Sequence, residues 1–171
     1  MDRSTIQEYK NYYKEQMMQY DWNYTTAFHF TSNDRAWSLK QSRDFLYKNI
    51  LSHMKRRLIV VDHQGNIKKG IPFYAYYVIC KQSDEPCYHV HIIMKIQEEY
   101  EHEVDNFLRL NAGGGLEKLE TDTDVIKMIK YMLRKGNLVI NSDDERLIPT
   151  SYNVNVEKKH FVSMDRAEIN K

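Results

Sequence analysis

The chain has 171 residues, 42% of them hydrophobic and 29% charged, with six glycines and three prolines; these proportions exclude a long disordered segment and suffice for one core without disulfide or metal staples. A net charge of +1 excludes a globally basic nucleic-acid binder, so any affinity for DNA or RNA must come from local clusters: Lys55 to Arg57, Lys68-Lys69, Lys127 to Lys135 and Lys158-Lys159. Two cysteines make no disulfide framework, no run approaches the roughly 18 apolar residues of a membrane span, and the N-terminal MDRSTIQEYKNYY lacks the apolar centre of a signal peptide, so a cytoplasmic protein without membrane contact is expected.

In chain order, residues 4–19 are polar with Tyr and Met at helical spacing and predict a helix lying against the body. Residues 23–31, NYTTAFHFT, are β-branched and aromatic and predict a strand. Ser32-Asn33-Asp34 offers turn and N-cap chemistry, which predicts a long helix over 35–57 with Trp37, Leu39, Phe45, Leu46, Ile50, Leu51 and Met54 on its apolar side. Residues 58–62 and 71–81 predict strands around a turn at Gln64-Gly65-Asn66, and 87–96 a further strand after the polar turn Ser83 to Pro86. A helix over 98–110, a loop at 112–115, a short strand near 116–120 and a helix over 122–135 closed by Gly136 follow, with short edge strands expected at NLVI (137–140) and SYNVNV (151–156). This order implies an α+β fold, a central and largely antiparallel sheet flanked by helices. No linker or repeat divides the chain, so it is read as one domain over 1–171, with an N-terminal helix (1–20), a core (22–136) and a C-terminal extension (137–171).

Two stretches carry chemistry. In CYHVHIIMKI, Cys87 to Ile96, the alternation of a strand puts Val90, Ile92 and Met94 on one face and His89 and His91 together on the other, roughly 6–7 Å apart along the chain, a spacing at which two imidazoles can grip one cation. In TDVIKMIKYMLRKG, Thr123 to Gly136, Val125, Ile126, Met128, Ile129, Met132 and Leu133 gather on one helical face. Thr121 and Asp124 have capping-box spacing. The opposite face carries Lys127, Lys130, Tyr131 and Arg134, with Lys135 at its edge. Positive charge beside a phenol favours the phenolate, which makes Tyr131 a candidate nucleophile toward an anionic phosphodiester.

The strand with His89-Val90-His91, the later helix with Tyr131-Met132-Leu133-Arg134-Lys135-Gly136, and the early strand AFHFTSND (Ala27 to Asp34) together resemble the HUH endonuclease superfamily. In particular they resemble the single-tyrosine initiators of rolling-circle replication in plasmids and small viruses. The resemblance covers roughly residues 23–136 and departs from the family where Arg134 stands in place of its lysine, with Lys135 next to it. It implies an RNA-recognition- or ferredoxin-like sheet and a divalent ion, Mn²⁺ or Mg²⁺, held by His89, His91 and a third ligand. Gln82 is the choice for that ligand, with Asp84, Glu85 and His29 as substitutes. It further implies single-stranded DNA at a replication origin as substrate, host replication proteins as partners, and nicking and joining through a 5′-phosphotyrosine on Tyr131 assisted by Lys127, Arg134 or Lys135. A transposase or relaxase of the superfamily shares this chemistry, and monomer and dimer stay open.

Other readings compete. Cys80, Cys87, His89 and His91 offer four ligands for a closed structural zinc site. A non-enzymatic nucleic-acid-binding module would use the sheet and Lys127 to Lys135, with Trp22, Tyr74, Tyr76 and Tyr77 as stacking aromatics. The plain alternative is that His89 and His91 only hydrogen-bond within a half-buried sheet. His53, His63, His102 and His160 lie in polar surroundings where the sequence pairs them with nothing.

Overall fold

The computed structural model describes residues 3–32, 35–81, 84–134 and 149–154. Helix α1 (Arg3–Met17) leads into β1 (Tyr24–His29) and the short strands β2 (Thr31–Ser32) and β3 (Arg35–Ala36). A long helix follows, made of α2 (Leu39–Phe45), a π-helical segment (Leu46–Leu51) and α3 (Ser52–Arg56). Then come β4 (Ile59–Val61), β5 (Ile67–Lys69), β6 (Phe73–Cys80), β7 (His89–Ile96), a 3-10 turn (Glu98–Tyr100), α4 (Glu101–Ala112), β8 (Glu117–Lys118), α5 (Asp122–Met132) and β9 (Thr150–Tyr152).

Five strands form one antiparallel sheet in the order β8, β1, β7, β6, β9, flanked by helices, which is the α+β class expected. Strands β6 and β7 are its centre and are buried along nearly their whole length. On one face Phe28, Ala75, Tyr77, Ile79, Val90, Ile92, Met94 and Ile96 join the buried residues of the long helix and α4. On the other, Tyr74, Tyr76, Val78, Cys80 and Ile93 join Met17, Tyr20 and Trp22 from the α1 end and Val125, Ile129 and Met132 from α5. The period-two pattern of the strands thus feeds two cores, and the histidine parity belongs to the second.

Three elements differ from expectation. The long helix starts at Leu39 rather than 35, because Ser38 caps it: its Oγ accepts the amide of Gln41, and the Gln41 side chain accepts the amide of Ser38. Residues upstream instead form the β2–β3 hairpin. Strand 58–62 pairs with β5 and not with 71–81. Asp62 accepts the amides of Gln64 and Asn66 and so folds a tight turn. Gly70, at φ +80°, then redirects the chain where a side chain would strike the backbone oxygen of Lys55. Within the long helix the Ser52 amide bonds to Tyr47 O, five residues back, which marks the π segment that periodicity alone does not show. Segment 137–140 lies outside the described residues, and of 151–156 the described part contributes to β9.

Candidate metal and tyrosine site

Strand alternation and the register of β7 with both neighbours build the histidine face. His89 lies opposite His29 on β1 and Cys80 on β6, and His91 lies opposite Ala27 and Val78. Directly paired residues share a face of the sheet, so His29, His89, His91 and Cys80 form one cluster. The His89 and His91 rings are 5.0 Å apart, and those of His29 and His89 5.5 Å apart. Both histidines of β7 are 7% exposed. On the β1 side Ala27 and His29 are exposed, which leaves the cluster open toward solvent there.

Helix α5 packs on this face beside the residues of the α1 end. Its start is set by the capping box, in which Thr121 Oγ1 accepts the Asp124 amide and Asp124 accepts the Thr121 amide, both at 3.2 Å. Val125, Ile129 and Met132 are 2%, 1% and 0% exposed. Each such side chain contributes roughly 1.5–3 kcal/mol on burial, which holds the helix against β6 and β7. This docking brings Tyr131 edge-on against His91, with ring centres 5.0 Å apart and an interplanar angle of 88°. The guanidinium of Arg134 lies 3.9 Å from the centre of the Tyr131 ring. Tyr131 remains 40% exposed. It lines an open groove of about 460 Å³ together with Thr25, Lys118, Asp124 and Lys127.

Burial, then His89, then Arg134, push the His91 pKa down to about 4. The His89 pKa is also lowered, chiefly by burial and against the pull of Glu85. Both rings are therefore neutral near pH 7, the form in which imidazole ligates metals. Nδ1 of His89 sits 3.0 Å from a Glu85 carboxylate oxygen, the neighbour that opposes the fall of its pKa. Among the described residues, Nε2 of His91 has no hydrogen-bond partner. An orphaned neutral imidazole nitrogen is costly when buried and fits a divalent cation. Among the described residues, two donor groups have all their ligand atoms within 4.8 Å of one another: Cys80, His89 and His91, and His29, Glu85 and His89.

Of the residues singled out in the sequence, His89, His91, Tyr131 and Arg134 are brought together, and Lys127 is exposed in the groove that Tyr131 also lines. Gln82 and Lys135 lie outside the described residues. Of the substitutes, Glu85 and His29 approach His89. Cys87, though buried, belongs to neither donor group. Trp22, Tyr74, Tyr76 and Tyr77 are buried at 3–8% exposure, which removes them as stacking platforms. Three other histidines do have partners: His63 with Glu99 at 2.6 Å, His102 with Asn106 at 3.1 Å, and His53 stacked on Phe107; His160 is outside the described residues. Sequence reading passed over Cys80 as a partner of the pair without Cys87; the signal is cross-strand register, which the sequence does not display. A second cleft of about 520 Å³, with Lys48, Arg56 and Arg57 in its wall, lies between the long helix and α4 in the other layer, away from these residues.

No protein-family model and no curated protein sequence matches the chain. Among solved structures it is similar to the N-terminal nuclease domain of non-structural protein 1 of Minute virus of mice, at 9% identity over 91% of this chain and 76% of that one, with a TM-score of 0.22. That nuclease domain is described as having Zn²⁺ coordinated in its active-site pocket and as recognising DNA at the origin of replication. The TM-score is too low to establish a shared fold. No helix among the described residues is long and apolar enough to cross a membrane.

Proposed function

We propose that this protein is a metal-dependent nuclease that nicks and rejoins single-stranded DNA at a replication origin, as an initiator of rolling-circle-type replication, with Tyr131 as nucleophile. The observation that carries the reading is the edge-on contact of Tyr131 with His91 at 5.0 Å, which places a half-exposed phenol beside a buried cluster of neutral imidazoles. The residues that would hold the ion are His89 and His91, with Glu85 and His29 beside His89. When bound there, a divalent ion such as Mn²⁺ or Mg²⁺ supplies Lewis-acid polarisation of the scissile phosphodiester.

In this mechanism the Tyr131 oxygen loses its proton to solvent and attacks phosphorus in line. The bond from phosphorus to the 3′ oxygen breaks, that oxygen takes a proton, and the 5′ phosphate stays on Tyr131. Arg134 and Lys127 bring positive charge to the phosphate. Because the phosphotyrosine is itself a phosphodiester, a later 3′-hydroxyl can displace Tyr131 and rejoin a strand, which suits resolution of a replicated end with host replication proteins supplying synthesis. The test is incubation with a pool of single-stranded DNA and Mn²⁺, denaturing electrophoresis and peptide mass analysis. The expected result is a covalent band mapping to Tyr131 and lost in Tyr131→Phe. An adduct that survives in Tyr131→Phe, or cleavage undiminished in the His89→Ala, His91→Ala double variant, overturns the reading.

A further inference from the structure

The histidine cluster offers more donors than one metal site needs. Its two donor groups differ in chemistry and share a residue: Cys80, His89 and His91 give one sulfur and two nitrogens, whereas His29, Glu85 and His89 give oxygen and nitrogen. We propose that Cys80 joins His89 and His91 in binding a thiophilic divalent cation, zinc foremost, and that this occupation of the shared histidines excludes the oxygen-seeking ion of the cleavage reaction.

Three observations support this. Cys80 is fully buried and sits directly opposite His89 in the β6–β7 register, so its thiol faces the imidazoles and not solvent. Its thiol donates a long hydrogen bond, from Sγ to Val78 O at 3.7 Å, which leaves the sulfur lone pairs open to a metal. His91, 7% exposed, holds Nε2 with no hydrogen-bond partner among the described residues, which is an independent sign that this pocket takes a ligand. Thiolate with two imidazoles is a donor set that zinc favours, with a fourth position left for water. On binding, the Cys80 sulfur gives its proton to solvent and bonds the metal. A neutral imidazole has one nitrogen with a free lone pair, the other carrying the proton, so His89 serves one ion at a time. Exclusion of the cleavage ion rests on the nuclease reading; the sulfur-containing site itself does not.

The test uses the full chain freed of metal and titrated with Co²⁺, followed by the near-ultraviolet sulfur-to-cobalt charge-transfer absorption. The expected result is a band saturating at one Co²⁺ per chain, displaced by an equivalent of Zn²⁺, absent in Cys80→Ser and Cys80→Ala, and present in Cys87→Ser and Glu85→Gln. Circular dichroism checks that the cysteine variants fold. No band in the wild-type chain, or a band that survives in folded Cys80→Ser, overturns the proposal. In a second arm, Mn²⁺-supported adduct formation is compared with and without an equivalent of Zn²⁺. Inhibition in the wild type that persists in Cys80→Ser overturns the exclusion. A cobalt–sulfur band in a protein that forms no adduct under any condition defeats the nuclease reading and leaves the sulfur site standing.

Discussion

Acidification of the metal-free protein tests how the fold holds His91. The ring is 7% exposed, and its pKa falls from an ordinary 6.5 to about 4, through burial first, then His89 and Arg134, with Glu85 opposing and His29 adding slightly. The unfolded chain therefore takes up this proton below pH 6.5 while the folded chain refuses it until about pH 4. The sign follows: stability is complete above pH 6.5 and is lost as pH falls toward 4. At about 1.4 kcal/mol per pH unit, the interval from 6.5 to about 4 corresponds to about 3 kcal/mol, a large share of the roughly 5–15 kcal/mol of a typical domain. The assay is urea unfolding in EDTA at steps from pH 7.5 to 4 for the wild type and His91→Gln. Carboxylates that also lose favourable contacts on acidification, such as Asp105 beside Arg109, affect both proteins alike. The wild-type curve is expected to fall more steeply than that of the variant by about 3 kcal/mol across the window. Parallel curves would refute the claim that a buried neutral imidazole is held at this position.

Other substitutions probe the supports of the site. Thr121→Ala removes the oxygen that caps α5 and is expected to cost about 1 kcal/mol in denaturant unfolding. Gly114→Ala would drive a side chain into the carbonyl oxygen of Ala27, the strand neighbour of His91, and is expected to lower stability by about 1–3 kcal/mol. Gly113→Ala has open space around it but a φ of 77°, so its cost of about 1 kcal/mol comes from the left-handed backbone alone; melting temperatures separate the two. Arg134→Gln removes the cation 3.9 Å from the Tyr131 ring and is expected to slow adduct formation at least about tenfold while the melting curve stays close to wild type. An unchanged rate of adduct formation would remove Arg134 from the mechanism.

Much of this protein is legible as local chemistry. The alternation through His89 to Ile96 predicts which side chains share a face, because a strand has period two whatever it packs against. Thr121 and Asp124 mark the start of α5 because a capping box is closed within four residues, and the 3.6-residue period of Val125, Ile129 and Met132 marks the face it buries. Where local signals compete, they mislead: Ser32-Asn33-Asp34 and Ser38 both offer helix-capping chemistry, and the chain uses Ser38. Gly65 and Gly70 both offer turns, and both are used, which moves the partner of β4 from 71–81 to β5.

Tertiary structure alone decides what meets the histidines. Cys80 stands opposite His89 through the register of two long strands, and register is settled by which apolar residues the whole sheet buries. Tyr131 reaches His91 because α5 docks its apolar side on β6 and β7, a contact between segments far apart in the chain. The period of each element is written in its own residues and is read directly from them. Partnership between elements is a sum of many weak burial terms spread over the chain, and here it brings a phenol, a thiol, a carboxylate and three imidazoles to one end of the sheet.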